Sequence, residues 1–254
     1  MKRKTHRRLD ELLFSQGFGT RRLCVGLIER GLVTVRGTVC TDPGAEFDTE
    51  EPNLDFTVQG EPWSFHANAY LMLHKPAGYE CSHRPGAWPS VYSLLPVPLR
   101  QRPTAGKVQG AQAVGRLDQD TTGLLLLSDD GAFIHRMNSP KRHVPKIYEI
   151  TAKHALDEKQ RDRLLTGVVL DDDPKPVMAA ACEIVSPFHL RLTLTEGKYH
   201  QVKRMVAAVG NRVEGLHRSK IGGLDLPADL LPGQWRWLSE ADLELVGKPP
   251  AASS

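Results

Sequence analysis

Apolar positions come in short bursts along this chain, and the spacing of each burst predicts the element it builds. Leu124-Leu125-Leu126-Leu127 has no polar gap, which is how a strand buried on both faces reads. Leu9, Leu12, Leu13 and Gln16 fall at helical spacing, predicting a helix over 8–16 that stops at Gly17. A second helix is expected from an N-cap at Thr20 to Gly31, followed by a β-turn unit in which Val33-Thr34-Val35 and Thr38-Val39-Cys40 flank Arg36-Gly37. Tyr70-Leu71-Met72-Leu73 reads as a buried strand, and Ala132–Met137 as an amphipathic segment capped by Asp129 or Asp130 and ended before Ser139-Pro140. Further on, 157–165 makes a charged helix, while 182–185 and 190–195 alternate as strands. Val202, Met205, Val206 and Val209 form one helical stripe closed by Gly210, and a last strand over 234–238 precedes a short helix from Ser239.

Prolines and acids between 41 and 68 argue against a continuous helix and mark the end of a small first domain and a linker. Strands are separated by helices and reversals rather than by repeated βαβ units, so the fold class is α+β with a mostly antiparallel sheet in the second domain. The expected boundaries are a basic tail 1–7, a small domain 8–62, a linker 63–68, a larger domain 69–246 and a disordered tail 247–254.

Composition changes this picture little. A chain of 254 residues, 40% hydrophobic and 25% charged, can bury a core in each of two domains. The net charge of +3 is modest, so affinity for a polyanion has to come from placement, as with Lys2, Arg3, Lys4, Arg7 and Arg8 at the start. Residues 81–113 are rich in proline, glycine and arginine, and read either as a disordered excursion or as a loop facing nucleic acid. Cys24, Cys40, Cys81 and Cys182 show no paired spacing, which points to a reduced compartment, the cytoplasm. No apolar stretch approaches the roughly 18 residues of a membrane span, and dispersed histidines support no metal.

The polar loop Gly115-Arg116-Leu117-Asp118-Gln119-Asp120-Thr121-Thr122-Gly123 hangs from the apolar run that follows it. A carboxylate fixed there at Asp118, with Arg116 two positions away, can serve as a nucleophile; the same pattern also describes a solvated surface pair. Local pattern leaves both readings open.

This loop, continued by the leucine run and Ser128-Asp129-Asp130-Gly131, resembles the central motif of RNA pseudouridine synthases, whose catalytic residue is the aspartate matched here by Asp118. Other stretches follow in the family's order. About fifty residues of the small domain 8–62, with Thr20-Arg21-Arg22 and Gly31-Leu32-Val33-Thr34-Val35, resemble an S4-type RNA-binding module, with Arg21, Arg22 and Arg30 as expected RNA contacts; the family's usual Asn-Gly turn is replaced by Arg36-Gly37. Lys75-Pro76-Ala77-Gly78 resembles the turn bordering the family's cleft, implying a phosphate contact at Lys75. Lys146-Ile147-Tyr148 matches the Lys-x-Tyr motif, implying that Tyr148 packs on the flipped base and is a proton-acceptor candidate. In Gly197-Lys198-Tyr199-His200-Gln201-Val202-Lys203-Arg204-Met205, a rotation of about 100° per residue puts Lys203 at the edge of the buried stripe and Arg204 nearly opposite. The resemblance implies that Lys203 is the basic residue facing the aspartate, and Arg204 is better placed for the RNA backbone.

The resemblance, closest to the RsuA branch, implies isomerisation of uridine to pseudouridine in ribosomal RNA, with the target base extruded from its stack. The implied partner is 16S rRNA, at the uridine-516 type of site, or a small-subunit assembly intermediate, with the chain acting as a monomer. Arg116 would assist in holding RNA or extruding the base. No atom is gained or lost, so no cofactor is expected. The rivals are a large-subunit rRNA synthase of the same branch and a non-catalytic S4-type assembly factor.

Overall fold

The structure is a computed structural model that describes residues 5–52, 54–104, 107–171 and 173–248. The cluster Lys2-Arg3-Lys4 and the expected tail from Pro249 onward lie outside them. Contacts divide the chain into two units, one gathering the residues up to Tyr70 with Leu95–Gln112 and Leu127–Gly131, the other comprising Leu71–Leu94, Ala113–Leu126 and the chain from Ala132. Among the described residues no helix is long and apolar enough to cross a membrane.

In the first unit the helix Leu9–Gln16 buries Leu9, Leu12, Leu13 and Gln16, as the periodicity requires, and ends at Gly17 with φ 91°. Gly17 is also needed for packing, since a Cβ there would stand 2.1 Å from the Pro98 carbonyl oxygen. The next helix, Arg21–Glu29, is capped by the Thr20 hydroxyl, which accepts from the Leu23 amide at 3.2 Å. The turn between Val33–Val35 and Thr38–Val39 places Arg36 as well as Gly37 at positive φ, 50° and 78°. A two-residue turn that matches strand twist asks for both angles, so arginine takes a left-handed conformation, and its guanidinium is bonded to Glu51.

The proline- and acid-rich stretch 41–68 carries three strands, and the last of them reaches into the expected linker 63–68. Asp55–Val58 pairs with Val33–Val35 on one side and with Glu61–Ser64 on the other, and His6–Arg8 pairs with Glu46–Asp48. Pro62 is compatible because its strand lies at the sheet edge, where no amide is needed on the open side. The core joins both helices to Val33, Leu54, Phe56 and Val58, with Phe18 edge-on to Phe56 and Trp63.

Part of the proline-rich segment belongs to this unit and is neither loop nor excursion. Val97–Gln101 is helical, and the Arg102 side chain that follows is 2% exposed. Its Nε donates to Asp129 at 2.5 Å, Nη1 to the Gln16 side chain at 2.9 Å and Nη2 to the His66 carbonyl at 2.7 Å. The expected role of Asp129 as a helix cap gives way to this pairing, its other oxygen accepting from the Ala69 amide at 2.7 Å.

The second unit is built on a sheet whose strands run in the order Ala181–Ser186, His189–Leu194, Lys146–Ala152, Val213–Ile221, Thr122–Ser128, Tyr70–Lys75, Trp235–Trp237. Pairing is antiparallel along 146–152, 181–186, 189–194 and 213–221, whereas Thr122–Ser128 runs parallel to Val213–Ile221. The leucine run 124–127 is fully buried, as a strand covered on both faces must be. Gly123 makes the parallel pairing possible: its φ is 109°, and a Cβ there would lie 2.3 Å from the Arg218 carbonyl oxygen. The helix Gln201–Ala208 buries Val202, Met205 and Val206.

Candidate active site

A cavity of about 430 Å³ opens at the start of the strand Thr122–Ser128 and is lined entirely by the second unit. The loop from Gly115 to Thr121 forms one wall, the Lys146–Tyr148 strand start another, and Glu196–Lys203 a third.

Asp118 stands on this loop with its side chain 27% exposed. One carboxylate oxygen lies 3.3 Å from His200 Nε2, the other 3.3 Å from Lys203 Nζ. Lys203 also donates to both oxygens of Asp120, at 2.6 and 2.9 Å. Burial works against the charge of the Lys203 ammonium, yet the bonds to Asp120 and Asp118 outweigh it and raise its pKa. Burial likewise opposes the Asp120 carboxylate, and Lys203 overcomes it, so that carboxyl titrates below its usual range. The result is a carboxylate held between donors and facing the open cavity rather than closed off by its partners.

The helix face separates the two neighbouring cations. Lys203 reaches the carboxylates, while the Arg204 guanidinium turns back to the Tyr199 carbonyl at 3.1 Å. Tyr148 is 8% exposed and lines the same cavity, directly opposite Arg218 in the antiparallel register. Arg116 is exposed at the rim. Arg21, Arg22 and Arg30 are exposed on the first unit, with Arg21 lying over the Phe14 ring at 4.8 Å and 3.8 Å from Glu11.

Lys75 is not the surface cation expected to meet a phosphate. It is fully buried, and its ammonium donates to the carbonyls of Pro76, Gln119 and Thr121 at 3.0, 3.2 and 2.8 Å. Burial lowers its pKa. The Gly78 amide adds a bond to the Gln119 carbonyl at 2.8 Å, so the Lys-Pro-x-Gly turn clamps the back of the loop that carries Asp118. A buried cation satisfied by three carbonyls fixes backbone; it has no free donor for RNA.

Sequence reasoning passed over His200, Asp120, Lys146 and Arg218. His200 lies within the motif 197–205, and its left-handed backbone, φ 47°, aims the ring at Asp118, with Tyr199 stacked on it at 3.8 Å. Asp120 lies in the central motif, and Arg218 opens the stretch Arg218-Ser219-Lys220-Ile221-Gly222-Gly223, which continues the resemblance, but neither stretch marks the role of the single residue. Lys146 is held at the cavity wall, donating to the Val144 carbonyl at 3.0 Å, and burial, followed by the nearby Arg218 charge, pushes it down to about 8.

The sequence profile of the family described as RNA pseudouridylate synthase matches residues 69–208, and that of the S4 domain matches residues 7–51. The ribosomal small subunit pseudouridine synthase A of Pasteurella multocida is 39% identical over 241 residues, covering 95% of this chain and 100% of that protein. The protein of the same name from Escherichia coli K12 is also 39% identical, covering 94% of this chain and 99% of its own. A solved structure described as a pseudouridylate synthase is 35% identical and superposes with a TM-score of 0.64 over 94% of this chain and 99% of that one.

Proposed function

Since the chain belongs to the RNA pseudouridylate synthase family and carries an S4 domain, we propose that it converts a uridine of small-subunit ribosomal RNA to pseudouridine with Asp118 as the catalytic residue. The chain is an RNA pseudouridine synthase by family. The small-subunit assignment follows the names of relatives that match it end to end, and 16S rRNA uridine 516 is the site we propose, acted on in the cytoplasm by a monomer.

The observation that carries the mechanism is Asp118 between His200 and Lys203 at the wall of a cavity that also contains Tyr148. A stacked base cannot reach this carboxylate, so the uridine is flipped in. The C1′–N1 bond breaks with its electron pair leaving on the uracil, and Asp118 meets the electron-poor C1′, by covalent attack or by charge. Both routes need an anion, and Lys203 and His200 hold it in place. Tyr148 supplies a flat apolar surface for the base. The uracil turns, C5 bonds to C1′, and C5 gives up its proton, with Tyr148 the candidate acceptor, while N1 takes up a proton, so that the product is an isomer of the substrate. Arg116 at the rim, Arg204, and the exposed Arg21, Arg22 and Arg30 of the S4 domain would hold flanking RNA.

The test is a pseudouridine map of both rRNAs from cells lacking the protein, re-expressing either the wild type or Asp118→Asn. One small-subunit uridine should remain unmodified without the protein and with Asp118→Asn, and be restored by the wild type. Asparagine keeps the shape and loses the charge, so a fully active Asp118→Asn protein sinks the mechanism, and a missing large-subunit pseudouridine redirects the substrate.

A further inference from the structure

Arg218 and Thr121 line the cavity, and each carries a buried polar atom with no hydrogen-bond partner, Arg218 Nη2 and Thr121 Oγ1. Their side chains are deeply enclosed: Arg218 is 2% exposed and Thr121 1%. An unmatched guanidinium nitrogen in a protein interior is costly unless something else supplies the acceptor. Arg218 is held rigidly. It pairs with Gly123 on one side and Tyr148 on the other, and its Nε donates to the Leu124 carbonyl at 2.8 Å, fixing the plane of the guanidinium. Directly opposed residues of an antiparallel pair point to the same sheet face, so Arg218 lies beside the ring on which the uracil is proposed to rest.

We propose that Arg218 Nη2, helped by the Thr121 hydroxyl, is the donor that grips a carbonyl oxygen of the target uracil and keeps hold of the base while it turns. This rests on the reading of the site given above. The chemistry of uracil suits a fixed donor. A half-turn about the line through N3 and C6 exchanges N1 with C5 and, at the same time, O2 with O4. A donor placed at one carbonyl position therefore finds a carbonyl oxygen there both before and after the turn. Between the two states the detached base carries the electron pair of the broken bond, with negative charge spread over both oxygens, and a guanidinium binds that form most strongly. Cytosine carries an amino group in place of O4, so it would meet the donor with a donor in one of the two orientations. Arg218 would thus select the base as well as hold it.

The experiment compares wild type, Arg218→Met, Thr121→Val and Thr121→Ser in single-turnover conversion of a small-subunit rRNA fragment at saturating protein, with affinity measured across a salt series. Fragments carrying 2-thio- or 4-thiouridine at the target test the carbonyl contact, because sulfur is a poor acceptor. Arg218→Met should lower the rate about 100-fold with affinity and salt slope unchanged, and Thr121→Val about tenfold, with Thr121→Ser restoring most of that loss. Either thio substitution should slow the wild type, and should add little to the Arg218→Met defect. A folded Arg218→Met protein with the wild-type rate overturns the proposal, as does a salt slope reduced by about one, which marks a phosphate contact. If Arg218→Met does not fold, the threonine pair decides: equal rates for Thr121→Val and wild type overturn it. A wild type that makes no pseudouridine removes the underlying reading, whereas an active wild type with indifferent variants removes only this inference.

Discussion

Replacing Arg102 by methionine should destabilise the first unit severely and leave RNA binding alone. The side chain sits in the segment whose composition resembles a nucleic-acid loop, yet its guanidinium is spent on Asp129, Gln16 and His66. Methionine fills much of the volume but returns none of these bonds. Among the described residues Asp129, 8% exposed, then keeps only the Ala69 amide as a donor, and breaking one side of a buried pair costs about 3–5 kcal/mol. Gln16 suffers less, because its oxygen still accepts from the His66 amide at 3.1 Å. At about 2–4 °C per kcal/mol for a chain of this length, the first transition in a thermal melt should fall by roughly 6–20 °C. Adding Asp129→Asn removes the stranded charge while preserving an acceptor for Ala69, and should recover about 2 kcal/mol or more. The assay is calorimetry and urea unfolding of the three proteins, with rRNA affinity against salt. An Arg102→Met protein within about 1 kcal/mol of wild type refutes the argument; so does a salt slope smaller by about one, which would mean that the guanidinium meets a phosphate after all.

Three further outcomes follow from the same geometry. Lys203→Met should depress the single-turnover rate by about tenfold or more with affinity retained, whereas Arg204→Met should reduce the salt slope by about one and spare the chemical step; the reverse pattern would undo the assignment of the two helix faces. His66 is pushed down to about 4 by burial and by Arg102, so the unfolded chain takes up a proton near pH 6.5 while the folded one refuses it until about 4. Stability present above pH 6.5 should therefore fall by up to about 3 kcal/mol on acidification to pH 4, and urea titrations of His66→Phe should lack that component. Lys146, lowered to about 8, opposes folding most where both states carry its charge. Lys146→Met should accordingly stabilise by about 1–3 kcal/mol below pH 8, with the gain vanishing by about pH 10.5, as paired melts at pH 7 and 9.5 would show.

The sequence by itself determined the elements whose evidence is local. The stripe Leu9, Leu12, Leu13, Gln16, the Thr20 cap, the leucine run after Gly123 and the stripe ending at Val209 all fall within one element, and each appears where its periodicity puts it. Motif order also reached the family, because the residues that surround Asp118 sit in unbroken stretches of chain. Strands 46–48, 55–58 and 61–64 are not visible in the sequence, since prolines and acids mask them and the partners of the first two lie elsewhere along the chain. The fates of the cations were beyond reach for a related reason. Whether a long basic side chain ends in water or in the interior depends on which acceptors surround its charged head, and for Lys75 these come from Gln119 and Thr121, for Arg102 from Gln16, His66 and Asp129. Arg218 stands between Gly123 and Tyr148 only after three strands have found their register. Periodicity is written into neighbouring residues, but the satisfaction of a buried charge is a property of segments brought together, and only the tertiary structure decides it.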